Sequence, residues 1–221
     1  MDFLLRHTAQ TIPTPIRDFP DWHRGRGEYA VWMIELARDG VLAKVEAARK
    51  HLSGFLLDSY RRQPHVTLFV CGFLADAPRF DDDYCLSQLD AHLQLLSNAN
   101  IPPFSIEIGG LNSFASAPFL EVHDNEGGIE HIRALLSTLG REVDRDAFTP
   151  HVTVGLYPGA FSTSAVIGKL AAFPGEPVSV AVEQITFAAY LPSEISGPLV
   201  YKQHAVLRKN SPSGAAGHRR K

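Results

Sequence analysis

Two histidines, each followed two residues later by a threonine, are the side chains in this sequence best suited to chemistry. Pro64-His65-Val66-Thr67 opens the run Pro-His-Val-Thr-Leu-Phe-Val, and Pro150-His151-Val152-Thr153 opens Pro-His-Val-Thr-Val-Gly-Leu-Tyr, 86 residues further on. Free histidine titrates at about 6.5, so an imidazole can take or give a proton near neutrality. Two of them across a cleft can cleave a phosphoester, one accepting the nucleophile's proton while the other protonates the leaving oxygen. The hydroxyls of Thr67 and Thr153 can donate to non-bridging phosphate oxygens, where charge builds in the transition state. This division of labour requires no metal. A lone histidine on a strand face is ordinarily structural; the same His-x-Thr in the same setting twice is what raises a catalytic pair.

Each motif reads as a buried strand, because apolar and β-branched residues follow a punctuating proline. Strand alternation then places His65, Thr67 and Phe69 on one face against Val66, Leu68 and Val70, and His151, Thr153, Gly155 and Tyr157 against Val152, Val154 and Leu156. Arg61 and Arg62 precede the first motif, where a guanidinium can grip a phosphate bidentately or stand in a solvated turn. Tyr157, Phe69, Phe114 and Tyr190 are candidates to stack on a base or ribose, with core filling as the competing reading. The other eight histidines show no zinc-ligand spacing, and Gly109-Gly110 and Gly127-Gly128 read as turns rather than phosphate-cradling loops.

The elements that must hold these residues are legible from periodicity. An irregular arm over 1–28, rich in Pro, Arg and Asp, packs through Phe19 and Trp22. A strand over 29–36 and a helix over 41–52 lead to the first His strand at 64–74. A helix over 81–97 carries the stripe Leu86, Leu89, Leu93, Leu96, read as core. Strands at 104–108 and 118–123, a helix at 127–139 and the second His strand at 150–157 come next. A short helix near 162–172, a strand near 178–190 and a strand near 198–207 complete the pattern, and a basic tail over 209–221 is expected to be disordered.

A chain of 221 residues with 45% hydrophobic content supports a full core. A net charge of −3 and a pI near 6.4 argue against a protein that coats nucleic acid through phosphate neutralisation. Cys71 and Cys85 are too few for a disulfide framework and lack metal-binding spacing, which points to reduced thiols and a cytoplasmic protein. The N-terminal stretch lacks the layout of a signal peptide, and no apolar run is long enough to span a membrane.

Shifting the first half by 86 residues brings strand onto strand, helix onto helix and His motif onto His motif, which suggests a duplication. With both motifs ending in an apolar residue, Leu68 and Val154, the sequence resembles the 2H phosphoesterase superfamily, which includes the RNA 2′,3′-cyclic phosphodiesterases also called 2′-5′ RNA ligases. The resemblance spans about residues 29–207. It implies an α+β, bilobal fold in which two antiparallel sheets face each other across a central cleft with helices outside. The domain layout is then one bilobal domain over 29–208, with repeats at about 29–114 and 115–207. The site it implies is metal-independent and without cofactor, with His65 as proton donor and His151 as acceptor; the residues alone leave that choice open.

The expected substrate is a cyclic-phosphate nucleotide or RNA terminus, opened to a monoester. The expected protein is a monomer with no DNA or membrane partner. The long arm, and Phe69-Val-Cys-Gly-Phe-Leu74 in place of the Phe-Leu-Gly that commonly follows the first motif, depart from the better-known bacterial members. A non-catalytic nucleotide- or RNA-binding module on the same fold and a His-ligated metallohydrolase are the competing classes.

Overall fold

A computed structural model describes residues 3–143 and 147–208; the tail expected to be disordered lies outside the described residues. Within them a 3-10 turn (Leu4–His7) and a short helix α1 (Pro20–His23) precede β1 (Tyr29–Glu35), α2 (Asp39–His51), β2 (His65–Ala75), β3 (Asp83–Cys85) and α3 (Leu86–Asn98). There follow β4 (Phe104–Ser113), β5 (Pro118–His123), α4 (Gly128–Leu136), β6 (His151–Thr153), α5 (Thr163–Ala171), β7 (Val178–Val182), β8 (Gln184–Tyr190) and β9 (Val200–Val206).

The strands form two sheets, in the orders β3-β2-β1-β8-β9 and β6-β5-β4-β7. Pairing is antiparallel except between β2 and β3. The sheets are not successive halves of the chain. β4 follows the first His strand in sequence yet pairs with β5, and β8 follows the second yet pairs with β1. The first sheet therefore takes β8 and β9 from the second half, and the second sheet takes β4 from the first.

One continuous apolar cluster runs through both sheets and the helices. It takes Trp32 and Ile34 from β1, Val41 and Val45 from α2, Val66 and Leu68 from β2, Ile132 and Leu136 from α4, and Val152 and Val154 from the second His motif. Val31, Met33, Ala188 and Leu199 form a smaller cluster. Met33 is in register with both Thr67 and Thr186, so this second cluster floors the face that carries the first His motif.

Several local differences from the periodicity have physical causes. The helix expected from residue 81 starts at Leu86, because Asp82 and Asp83 are held by Arg26 at 2.5 and 2.6 Å and the Asp83 carboxylate also caps the N–H groups of Arg79 and Phe80. Gln88 accepts the Cys85 N–H at 2.8 Å and closes the true N-terminus of α3. Leu86, outside the helix core as a result, is 64% exposed while Leu89 and Leu96 are buried. Gly109-Gly110 is not a turn but a bulge inside β4, lying where the register with β5 shifts between Ile108 and Leu111. The single strand expected near 178–190 is two, β7 and β8, in different sheets.

A second bulge matters for the site. Thr67 pairs with Met33 and Phe69 with Trp32, leaving Leu68 as the extra residue. Alternation breaks there, and Leu68 and Phe69 are both buried. The edge of β2 beyond this point is tied to the other lobe. Arg133 of α4 donates to the Leu68 carbonyl and to Glu142 at 2.8 Å, Glu142 accepts the Val70 N–H at 2.9 Å, and the Val143 N–H donates to the Val70 carbonyl at 3.1 Å. The Arg133 guanidinium also lies 3.6 Å above the Phe148 ring, three residues before His151. One side chain thus touches the chain just after Thr67 and just before His151.

Candidate active site

The two His motifs open β2 and β6, and Cα atoms of these strands come within 8 Å of each other although they belong to different sheets. In each motif the valine is fully buried while the histidine and threonine are half-buried. The imidazoles are fixed in the same way. His65 Nδ1 donates to the Gln63 carbonyl and His151 Nδ1 to the Thr149 carbonyl, both at 2.7 Å. A carbonyl can only accept, so each Nδ1 carries hydrogen and each Nε2 is left for a ligand.

Electrostatics makes the pair unequal. Burial pushes His65 down to about 4, against the raising effect of the Gln63 carbonyl, and the positive charges of Arg62 and of a protonated His151 push it further. His151 is also lowered, by burial, with the Thr149 carbonyl opposing. Both imidazoles are therefore neutral at pH 7 in the free protein, and each Nε2 is a bare lone pair.

Around them stand Phe114, one of the expected stacking residues, and others that periodicity did not single out. The Tyr60 hydroxyl hydrogen-bonds Thr153, and burial raises that phenol while Arg62 and Arg49 beside it pull the other way. Arg49 donates through Nε to the Val154 carbonyl at 3.0 Å, and its buried Nη2 has no partner. Phe114 stands edge-on to His151 at 4.9 Å and Phe119 lies 5.3 Å from it. Glu35 pairs in register with His65, and Glu121 with His151. Glu35 is bonded to Tyr201 and Glu121 accepts from Asn112 at 2.7 Å. Gln63 and Thr149, and likewise Glu35 and Glu121, are separated by the same 86 residues as the histidines. That shift was the signal by which these could have been found, whereas Tyr60 and Arg49 have no such counterpart.

The expected binding residues fall into two groups. Arg62 lies at the site: it donates to the carbonyls of Ile195 at 2.8 Å and Gly197 at 3.3 Å, stacks 3.9 Å over Tyr190, and its charge reaches His65. Tyr190, half-buried beneath it, is part of the same group. Arg61 turns outward to Glu194 at 3.5 Å. Tyr157 and Phe69 are corrections. β6 ends at Thr153, so alternation does not carry to Tyr157, which is fully buried with its hydroxyl 2.6 Å from Ser113 Oγ. Phe69 is turned inward by the Leu68 bulge and meets His92 at 5.7 Å. Neither ring offers a face to a ligand.

Two sheets joined in one core, with a His-x-Thr motif opening a strand in each, are the fold and motifs of the 2H phosphoesterase superfamily. The chain belongs to the 2′-5′ RNA ligase superfamily, whose family model matches residues 37–194. Among solved structures, E. coli LigT complexed with 3′-AMP is similar at TM-score 0.59 and 19% identity, over 82% of this chain and 98% of that one. E. coli LigT complexed with NADP+ is similar at 0.56 and 16%, over 84% and 100%. Kluyveromyces marxianus Usb1 gives 0.51 and 11%, over 81% and 98%. No curated protein sequence matches the chain. Among the described residues no three or more His, Cys, Asp or Glu side chains are grouped to hold a metal ion, and no helix is long and apolar enough to cross a membrane.

Proposed function

We propose that the protein hydrolyses a 2′,3′-cyclic phosphate, on a small nucleotide or an RNA end, to a phosphomonoester without a metal ion. The observation that carries this reading is the matched pair of Nδ1–carbonyl bonds, which leaves Nε2 of each histidine available to a ligand on two strands that approach each other from different sheets. His65, held neutral by burial and by Arg62, takes a proton from the attacking water. The water oxygen bonds to phosphorus, the bond from phosphorus to O2′ or O3′ breaks, and His151 gives its proton to that leaving oxygen. The roles are the reverse of those the family resemblance implies, because the charge of Arg62 falls on His65. Thr67 and Thr153 donate to the non-bridging oxygens, with Tyr60 orienting Thr153.

The substrate is an anion, and its charge favours imidazolium, so the proton that the acid needs is acquired as the substrate binds. On a 2′,3′-cyclic nucleotide, activity is expected to survive EDTA. His65→Ala and His151→Ala should each lose about 10²- to 10⁴-fold in kcat/KM, and Thr67→Ala or Thr153→Ala about 2–4 kcal/mol of transition-state stabilisation. Activity abolished by EDTA and restored by zinc would point instead to a metallohydrolase, and tight nucleotide binding without turnover to a binding module.

A further inference from the structure

The family model begins at residue 37, yet the chain before it is built into the molecule. The Thr11 N–H donates to the Phe161 carbonyl at 2.9 Å, Ile12 to Ala115 at 2.7 Å and Thr14 to Tyr157 at 2.8 Å, and Gln10 bridges to Ser162. These bonds strap the arm across the segments on either side of β5 and β6. Beyond the last of them, residues 14–18 form one wall of a cavity of about 280 Å³, completed by Leu57, Arg61, Leu156 and residues 193–196.

The cavity takes residues from the segments that lead into one His motif and out of the other. Arg61 is four residues before His65, and Leu156 is three residues after Thr153, with its carbonyl accepting the Leu57 N–H at 2.9 Å. Arg62 links the cavity wall to the first histidine: it donates to the Ile195 carbonyl while its charge acts on His65. Cavity wall and first histidine are thus within reach of one guanidinium, which is the link on which a shared ligand rests.

The lining specifies the class of that group. Ile16, Leu57, Leu156 and Ile195 supply apolar surface, while the guanidiniums of Arg17 and Arg61 and the carboxylates of Asp18 and Glu194 supply both donors and acceptors. Single exposed aliphatics are ordinary on a protein surface. Ile16, 62% exposed, differs in that it lines a cavity on a strap fixed by main-chain bonds. Apolar walls with opposite charges at the margin suit a flat heterocycle with a polar edge.

Resting on the hydrolase reading above, we infer that this cavity is the nucleoside subsite and that the N-terminal strap is its specificity-determining wall. The nucleoside is the one whose ribose carries the cyclic phosphate. A base-free cyclic phosphate then leaves the strap unused.

The test compares kcat/KM for a 2′,3′-cyclic nucleotide with that for glycerol 1,2-cyclic phosphate in the wild type, in Ile16→Asp and in Ile12→Asp. Ile12 is 57% exposed on the same strap but does not line the cavity, so its variant controls for damage to the strap. The expected result is a nucleotide-to-glycerol ratio about tenfold lower in Ile16→Asp, chiefly through KM, and the wild-type ratio in Ile12→Asp. An unchanged ratio in Ile16→Asp, or an equal fall in both variants, overturns the subsite. Calorimetric affinity for a 3′-nucleoside monophosphate relative to inorganic phosphate is measured on the same three proteins. If the wild type hydrolyses neither cyclic substrate, the hydrolase reading fails and this binding ratio alone decides the subsite. Its selective loss in Ile16→Asp keeps the subsite, and its persistence removes it.

Discussion

Burial lowers both imidazoles against the raising effect of their carbonyl partners, and the charge of Arg62 adds to it at His65 but not at His151. The reacting form of the free enzyme carries one proton on the pair, so kcat/KM is governed by two apparent pKa values, both displaced below the free-histidine value of about 6.5. Activity should thus be greatest on the acid side of that value and fall as pH rises, because the donor is then lost. The acid limb reports protonation of the acceptor. His151→Ala is expected to abolish the alkaline limb and His65→Ala the acid limb in the residual kcat/KM profile; the opposite pattern exchanges the two roles. In kcat, measured with substrate bound, both limbs should move to higher pH.

Tyr60→Phe keeps the ring and deletes the bond to Thr153, so kcat is expected to fall by about tenfold, roughly one hydrogen bond's worth, with KM little changed. Equal kcat in wild type and variant would remove Tyr60 from the mechanism. At this scale the histidines and threonines were legible because identical tetrapeptides recur. Tyr60 and Arg49 were not, since they reach the site from a loop and a helix whose sequences carry no repeat. Tyr157 and Phe69 misled because alternation presumes a strand that neither ends nor bulges.

Among the elements, the contact between α4 and the edge of β2 ties the chain just after Thr67 to the chain just before His151. Arg133 and Glu142 are 19% and 15% exposed at their side chains, and the guanidinium spans Leu68, Glu142 and the Phe148 ring. Arg133→Met removes the fork but keeps much of the packing. The expected outcome is a fall in kcat of at least tenfold with a smaller change in KM, and weaker mutual influence of His65 and His151 in an NMR titration of their imidazoles. Arg133→Lys, which restores charge without the planar fork, should recover only part of either effect. Wild-type titration curves in Arg133→Met would show that the fork does not position the histidines. Periodicity located most helices and strands here, since amphipathic stripes and apolar runs follow from burial on one side. What it missed depends on partners distant in sequence: Arg26 shortening α3, the glycine bulge in β4, and the early end of β6 at Thr153.

For the whole molecule, the repeated motif is legible as a shift of 86 residues, but the crossing of β4 in one direction and of β8 and β9 in the other is not. Strand pairing across halves leaves no mark in local pattern. The crossing places non-local pairings at the centre of both sheets. Fragments 1–114 and 115–221, each lacking a central strand of its own sheet, are expected to be largely unfolded alone by far-ultraviolet circular dichroism and to regain secondary structure and activity when mixed. A fragment that folds cooperatively by itself would show that each half is self-sufficient.

Two chains that trade an equivalent element make a domain-swapped dimer, and the traded strand is what makes such a pair hard to dissociate. Joining the subunits of such a dimer end to end would leave pairing across the halves of the kind seen here, with the hairpin between β4 and β5 as the link. In an ancestor of that kind the two imidazoles would be one residue contributed twice, with equal roles by symmetry. Fusion would free the two copies to differ, and the arginine whose charge acts on His65 but not on His151 is such a difference.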